Sequence, residues 1–394
     1  MPPKTRVPYR PFEYLEAGAD YREFELAKEL GRVASSTYPL DPEQTKRLER
    51  ILATAPLVSS HDHCIVMPED ITQIHEYARG RRTWTGYAGL AAARVDVVLE
   101  AFLDGMGGWR WDDVLFDLGM RYSDIAHQDF LYRAETKADL DRAKPAGRCA
   151  LVATLECATM IEDDVDRVEV LYGFGVRVMG ITYSESNGLG SGLREEHDGG
   201  LTDLGRATVR RMNKIGMTID VSHCGDLTSL DTIAASARPI LITHAGARGL
   251  WNTKRMKPDE VLKACAAKGG VIGIEAAPHT TLTAKHPLHS LESVMEHVAY
   301  CVELMGIDHV GLGPDTLFGD HVGLHKAFAA ALSISRIQQG VSYTQVEYVD
   351  GVESPAEAMP NAARWLVAHG YKDADVAKIL GGNVLRVLKE TWAV

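Results

Sequence analysis

The sequence predicts an α/β protein, a (β/α)8 TIM barrel with additional N- and C-terminal helices, and three observations lead there. Eight short runs rich in apolar and β-branched residues recur along the chain. Stretches of helical periodicity separate most of them, the pattern of parallel strands joined by crossover helices. Polar residues suited to metal binding or acid–base chemistry close most of the runs, as expected where barrel strands open into one mouth at their C-terminal ends. With 394 residues and 45% hydrophobic content, the chain is long enough for one such domain. We divide it into an N-terminal helical extension (1–50), the barrel (51–354) and C-terminal helices (355–394), with no low-complexity segment or interdomain linker between them.

In chain order, the first run, PLVSSHDH (Pro56 to His63), ends in two histidines one residue apart. In an extended strand, residues i and i+2 face the same side, so His61 and His63 point to one place with Asp62 turned away, a geometry that suits a metal ion. RVDVVLEAF (Arg94 to Phe102) follows, then CALVATLE closing on Glu156, VRVMGITY closing on Tyr183, MTIDVSH on His223, PILITH on His244, GVIGIEAA (Gly270 to Ala277) and HVGLGPD on Asp315. Between the last two, LESVMEHVAYCVELMG repeats apolar residues at helical spacing and stops at Gly306. PDEVLKACAAKGG opens a helix on Pro258 and Asp259 and closes it near Gly269.

Composition narrows the partners. A net charge of -12, from 42 basic and 54 acidic residues, disfavours nucleic acid and anionic lipid as ligands and favours a small-molecule substrate. The N-terminus lacks the apolar core of a signal peptide, and no run of apolar residues reaches membrane-spanning length, so a soluble cytoplasmic protein is expected. The six cysteines are scattered without a CxxC pair and read as free thiols.

Six metal-compatible groups at five strand ends, His61, His63, Glu156, His223, His244 and Asp315, are hard to account for as separate core residues, each of which would need its own buried partner. Four imidazoles and a carboxylate suit Zn2+, and a glutamate with two oxygens can bridge two such ions. Two divalent ions would lower the pKa of a shared water toward neutrality and polarise a carbonyl for attack, which is hydrolytic chemistry. Asp315 is placed to take a proton from that water and deliver it to the leaving group.

Taken together, these residues resemble the membrane (renal) dipeptidases of the amidohydrolase superfamily. The resemblance runs from about Leu57 to Trp392 and includes GLTDLGRATVRRMNKIGMTIDVSH (Gly200 to His223), PILITHAGARGL (Pro239 to Leu250), AAKGGVIGI, GIDHVGLGPD and ILGGNVLRVL. It implies a first metal held by His61, His63 and Glu156, and a second by Glu156, His223 and His244. It also implies Asp315 as the catalytic aspartate, Arg255 as the grip on the substrate carboxylate, and a homodimer as a possible assembly. Three positions depart from the family pattern. His63 stands where the family's HxD motif has its aspartate. Tyr183 replaces the histidine that stabilises the developing oxyanion, and its phenol can still donate one hydrogen bond. Thr159 occupies a further usual histidine position.

The expected activity is therefore cleavage of a small amide or dipeptide-like substrate by metal-activated hydroxide. The alternatives are a non-peptide ester or lactone hydrolase on the same metals, or a catalytically silent metal-binding barrel. Other conspicuous residues have plainer readings. Cys64, Cys157 and Cys224 follow proposed ligands but alternate away from them. Trp84 and Tyr87 read as packing beneath a loop. Glu275 and the loop histidines His279, His286 and His289 read as either substrate contacts or structural ties.

Overall fold

The computed structural model of the chain describes residues 9–102 and 110–393. Its strands are β1 (Val58–Asp62), β2 (Val97–Phe102), β3 (Leu131–Arg133), β4 (Cys149–Leu155), β5 (Val176–Gly180), β6 (Thr218–Asp220), β7 (Leu241–Ala245), β8 (Val271–Ile274) and β9 (Val310–Leu312). Eight of them pair in parallel in the order β1-β2-β4-β5-β6-β7-β8-β9, giving the barrel that the eight runs predict. The strands are almost wholly buried, because helices cover their outer face and the interior is filled; this is why they read as continuous apolar runs and not as alternating ones.

The ring closes past the strand ends. The Asp315 amide donates to the carbonyl of His61 at 3.1 Å, the His63 amide to Thr316 at 2.9 Å and the Phe318 amide to Ile65 at 2.9 Å. Inside the barrel, Ser60 Oγ bonds the carbonyls of Thr243 (2.7 Å) and Leu312 (2.9 Å). That close approach needs glycine opposite: a Cβ on Gly273 would lie 2.1 Å from Ser60 Oγ and 2.2 Å from the Thr243 carbonyl.

The other end is sealed. The helix Asn383–Thr391 lays Val384, Val387 and Leu388 against Val58, Val97, Ala150, Leu241 and Val271 at the starts of the strands, with Trp392 buried beside them. Only the C-terminal mouth remains for function. The surrounding helices have ordinary local signals, such as the capping box of Asp41 and Gln44 on Pro42–Thr54 and the left-handed Gly216 that ends Asp203–Ile215. The helix Leu291–Met305 ends at Gly306 as its periodicity predicts.

Two elements differ from expectation. Residues 9–41 form turns and isolated bridges, with helix starting only at Pro42; Pro11, Gly18, Gly31 and Pro39 interrupt this stretch too often for a helix to propagate. The start of the expected helical extension (1–8) lies outside the described residues, as does Val394 at the end of the C-terminal helices. The ninth strand, β3, pairs with β4 at Cys149–Leu151, below the point where β5 begins to pair. Its three residues are too few to show a period. Among the described residues no helix is long and apolar enough to cross a membrane.

Gly273→Ala tests the closeness of the interior. Because the new methyl meets backbone as well as a side chain, the variant should lose about 1–3 kcal/mol of stability, measured by denaturant unfolding; an unchanged midpoint would show that the interior is looser than these distances indicate.

Candidate active site

The mouth gathers the groups that close the strands. His61 is the penultimate residue of β1 and His63 directly follows the strand, their rings edge to face with centroids 5.1 Å apart. Glu156 follows β4, and its Oε2 lies 3.1 Å from His223 Nε2 and 3.6 Å from His244 Nε2. Those two nitrogens are themselves only 3.0 Å apart. His61 stacks on His244 with centroids at 3.6 Å, which ties the first strand's ligand atoms to the others. Asp315 Oδ1 lies 3.0 Å from His63 Nε2 and 3.5 Å from His61 Nε2.

Local chemistry aims these side chains. Asp220, the last residue of β6, accepts hydrogen bonds from Ser222 N (3.0 Å), Ser222 Oγ (2.6 Å) and Thr243 N (2.9 Å), knotting the ends of β6 and β7 together. Thr243 Oγ1 bonds Asp220 Oδ2 at 2.9 Å and sits 2.9 Å from His244 Nδ1, so His244 is left to present Nε2 to the mouth. Asp62, turned away as the strand geometry predicts, performs the same service across the closing seam. Its Oδ1 accepts from Thr316 N (3.0 Å) and Thr316 Oγ1 (2.8 Å), and its Oδ2 from Ser59 Oγ (2.5 Å). That clamp fixes the residue next to Asp315.

The electrostatics follow from burial and pairing. Burial pushes the Glu156 and Asp315 carboxyls up, but hydrogen bonds from His223 and His244 on one, and from His61 and His63 on the other, hold both well below the usual carboxylate range. Burial, assisted by Arg255, keeps His223 low; burial, assisted by His61 and Arg255, keeps His244 well below its ordinary value. Ionised carboxylates and neutral imidazoles such as these are what a metal ion requires of its ligands; His61 shifts the other way, since its burial is outweighed by Asp315 and Glu156, which raise it. The donor set fits such an ion: His61, His63 and Glu156 form one group of converging ligand atoms, and Glu156, His223 and His244 another, with the atoms of each within 4.8 Å of one another. A third group of the same kind, His61, His244 and Asp315, brings Asp315 within ligand range as well.

Tyr183 lines the cavity over these groups and stacks on His223 with centroids at 4.2 Å. Burial, with Glu156 and Asp315 nearby, pushes its phenol well above the ordinary value, so it remains a hydrogen-bond donor. Arg255 also lines the cavity but is not a solvated loop arginine. It is 3% exposed, donates to the carbonyls of His244 (2.9 Å) and Ser222 (3.4 Å), and is ion-paired with Glu275 at the end of β8.

With this geometry in place, the comparisons decide the family. The family model for membrane dipeptidase, peptidase family M19, matches residues 45–394. The chain belongs to the membrane dipeptidase family. Dipeptidase tcpJ of Claviceps purpurea is 28% identical over 278 residues, 70% of this chain but only 58% of its own length. Dipeptidase verJ of Clonostachys rogersoniana is 24% identical over 387 residues, covering 90% of this chain and 89% of its own. Among solved structures, an amidohydrolase from Pseudomonas aeruginosa shares the fold with a TM-score of 0.74 at 22% identity, over 88% of this chain and 99% of that one. The membrane dipeptidases are metal-dependent hydrolases of dipeptide-like substrates.

Elsewhere in the chain, the other conspicuous residues are structural ties. Tyr87 donates to Asp124 at 2.7 Å, and Trp84 packs among Phe12, Phe24 and Tyr77. His279 and His289 are consumed by the Val346 amide (3.0 Å), the His279 amide (2.9 Å) and Thr281 Oγ1 (2.9 Å). His286 lies toward Glu296 at 3.8 Å. All six cysteines are buried, and none belongs to the converging ligand groups found among the described residues. Two residues of the mouth went unremarked in the sequence, His321 and His325, which line the cavity from the short helix His321–Ala327. Their i, i+4 spacing within DHVGLHKA was the available signal.

Asp62→Ala should leave the buried Thr316 and Ser59 groups without their acceptor, costing about 1–3 kcal/mol of stability. Turnover should fall by about 10²-fold through misplacement of Asp315, with metal content unchanged. Elemental analysis alongside steady-state kinetics checks both halves; full turnover would remove Asp62 from the positioning of Asp315.

Proposed function

We propose that the chain is one hydrolase barrel that cleaves a small dipeptide-like amide at a centre of two divalent ions, most readily zinc. His61, His63 and Glu156 would hold one ion, and Glu156, His223 and His244 the other. The observation that carries the reading is the convergence of imidazoles from three strand ends on the single carboxylate of Glu156, whose two oxygens would let it serve both ions. Bound there, the ions supply a water nucleophile at neutral pH and polarise the scissile carbonyl.

The chain's own residues supply the rest. Asp315 Oδ1 takes a proton from the attacking water and returns it to the nitrogen of the leaving amine; the water's second proton follows to the amine as the new acid ionises, so amide and water become carboxylate and ammonium. The Tyr183 hydroxyl donates to the oxygen on which negative charge develops, standing where the family has a histidine. Arg255 orients the substrate carboxylate. Its guanidinium has five donors and can keep its two carbonyl partners while binding a further anion. Burial pushes the Glu275 carboxyl up against the pull of Arg255, which weakens Glu275 as a competing counter-ion. This clamp favours an amide substrate with a free carboxylate over an ester or lactone, which would leave Arg255 nothing to grip.

Gently purified protein should contain up to two divalent ions per chain, and chelation should abolish hydrolysis. Asp315→Asn should retain those ions yet lose at least about 10²-fold in kcat, the lower end of what general acid–base groups contribute. Loss of the ions in that variant would make Asp315 a ligand, which its distance to His61 and His63 permits.

Tyr183→Phe keeps the ring on His223 and removes only the donor. It should lower kcat by about 10²-fold with little change in KM, the scale of one lost oxyanion donor. Wild-type kcat under conditions where chemistry is rate-limiting would reduce Tyr183 to a wall of the pocket.

A further inference from the structure

The lining of the cavity above the site has two chemically different parts. On the barrel side lie Glu156, Arg255 and Asp315, which are the only Asp, Glu, Lys or Arg side chains lining it among the described residues. A second, apolar wall comes from the chain beyond Asp315, where Leu317, Leu324, Leu332, Ile334 and Ile337 line the cavity. His321 and His325 complete it, their rings edge to face at 4.6 Å. The charged residues of this segment do not line it: Asp320 and Lys326 line a separate polar cavity with Arg32 and Glu347, and Arg336 is exposed.

We propose that this wall determines specificity, admitting dipeptide-like substrates whose side chain on the residue directed away from the metal cluster is uncharged and apolar, branched aliphatic or aromatic. The inference rests on the hydrolase reading above. A charged side chain placed against this wall would leave water with no opposite charge to meet it, a cost of the kind that excludes isolated buried charges. The imidazoles are held toward the neutral form, because burial pushes His325 down to about 4 and His321 well below its ordinary value. They remain neutral hydrogen-bonding groups within an apolar surface. The substrate's carboxylate has its partner in the charged part of the lining, at Arg255, so the two ends of the molecule are sorted by charge.

The wall is anchored to the barrel loops. Ser333 Oγ accepts from Arg194 at 2.6 Å, the Ile337 carbonyl accepts from the Lys254 amide at 3.0 Å, and Gln338 Nε2 donates to the His279 carbonyl at 2.9 Å. A fixed wall discriminates, because it cannot move aside to let water accompany a charged group.

The test is a panel of Xaa–Ala and Ala–Xaa dipeptides, in L and D forms, with Leu, Phe, Glu or Lys at Xaa, assayed with the metal-loaded enzyme. At one of the two positions, Leu and Phe should exceed Glu and Lys in kcat/KM by about 100-fold, the upper range for discrimination by pocket contacts. Leu332→Arg, and separately Ile334→Arg, both at half-buried positions, should raise the Glu-to-Leu ratio at that position by about 10-fold with unchanged metal content. Equal kcat/KM for charged and apolar residues at both positions would overturn the proposal while leaving the dipeptidase reading intact. Unchanged ratios in both folded arginine variants would overturn the assignment to this wall. Failure to cleave any dipeptide would overturn the parent reading, and this one with it.

Discussion

The site depends on how the barrel closes. A ring of parallel strands must join its first strand to its last, and here the hydrogen bonds that complete the ring run between residues 61–65 and 315–318, beyond the regular strands. Those segments carry His61, His63 and Asp315. Closure and assembly of half the site are thus one event. The clamp of Asp62 on Thr316 sits on the same seam, so the residue between the two histidines is as constrained as they are. Sealing the opposite end with the C-terminal helix makes the arrangement one-sided: the strands can open only toward the mouth where their polar ends meet.

That concentration of polar groups is costly unless each charge has company. Glu156 and Asp315 stay ionised in spite of burial because each is met by two imidazoles. Arg255 and Glu275, nearly inaccessible to solvent, are paired at the edge of the cavity, although burial pushes the Glu275 carboxyl up and so leaves Arg255 only partly satisfied. Pairing of this kind gives little net stability over an apolar core of the same volume. What it supplies is a set of donors and acceptors already aimed, so that little reorganisation is needed when substrate arrives.

The sequence revealed much of this because the physics there is local. Buried parallel strands are continuous apolar runs, and alternation along one strand aims His61 and His63 together while turning Asp62 and the neighbouring cysteines away. The strand-end residues, each legible at the close of its own run, need only the barrel to bring them together. What the sequence concealed depends on contacts far apart in the chain. Nothing in the spacing of Asp62 and Thr316 announces their bond across more than two hundred residues. The partnership of Arg255 with Glu275 is equally non-local, although Glu275 alone was visible at a strand end. The short β3 shows no periodicity, and residues 9–41 are held by tertiary contacts such as the Phe12 amide on Asp124 (2.8 Å), which no local pattern encodes.

The chain after β9 shows how such a barrel separates chemistry from recognition. Asp315 and Thr316 are bound into the seam and cannot shift without opening the ring. From Leu317 to Ile337 the same chain leaves the barrel, turns its apolar side chains back toward the mouth and is tied to other loops through Ser333, Ile337 and Gln338. Its anchors are loop contacts, so its side chains can be exchanged without disturbing the carboxylates and imidazoles beneath. The closing seam therefore constrains the reacting groups tightly, while the adjacent excursion is free to vary in what it admits. This is the arrangement by which one barrel can retain a hydrolytic centre and change its substrate.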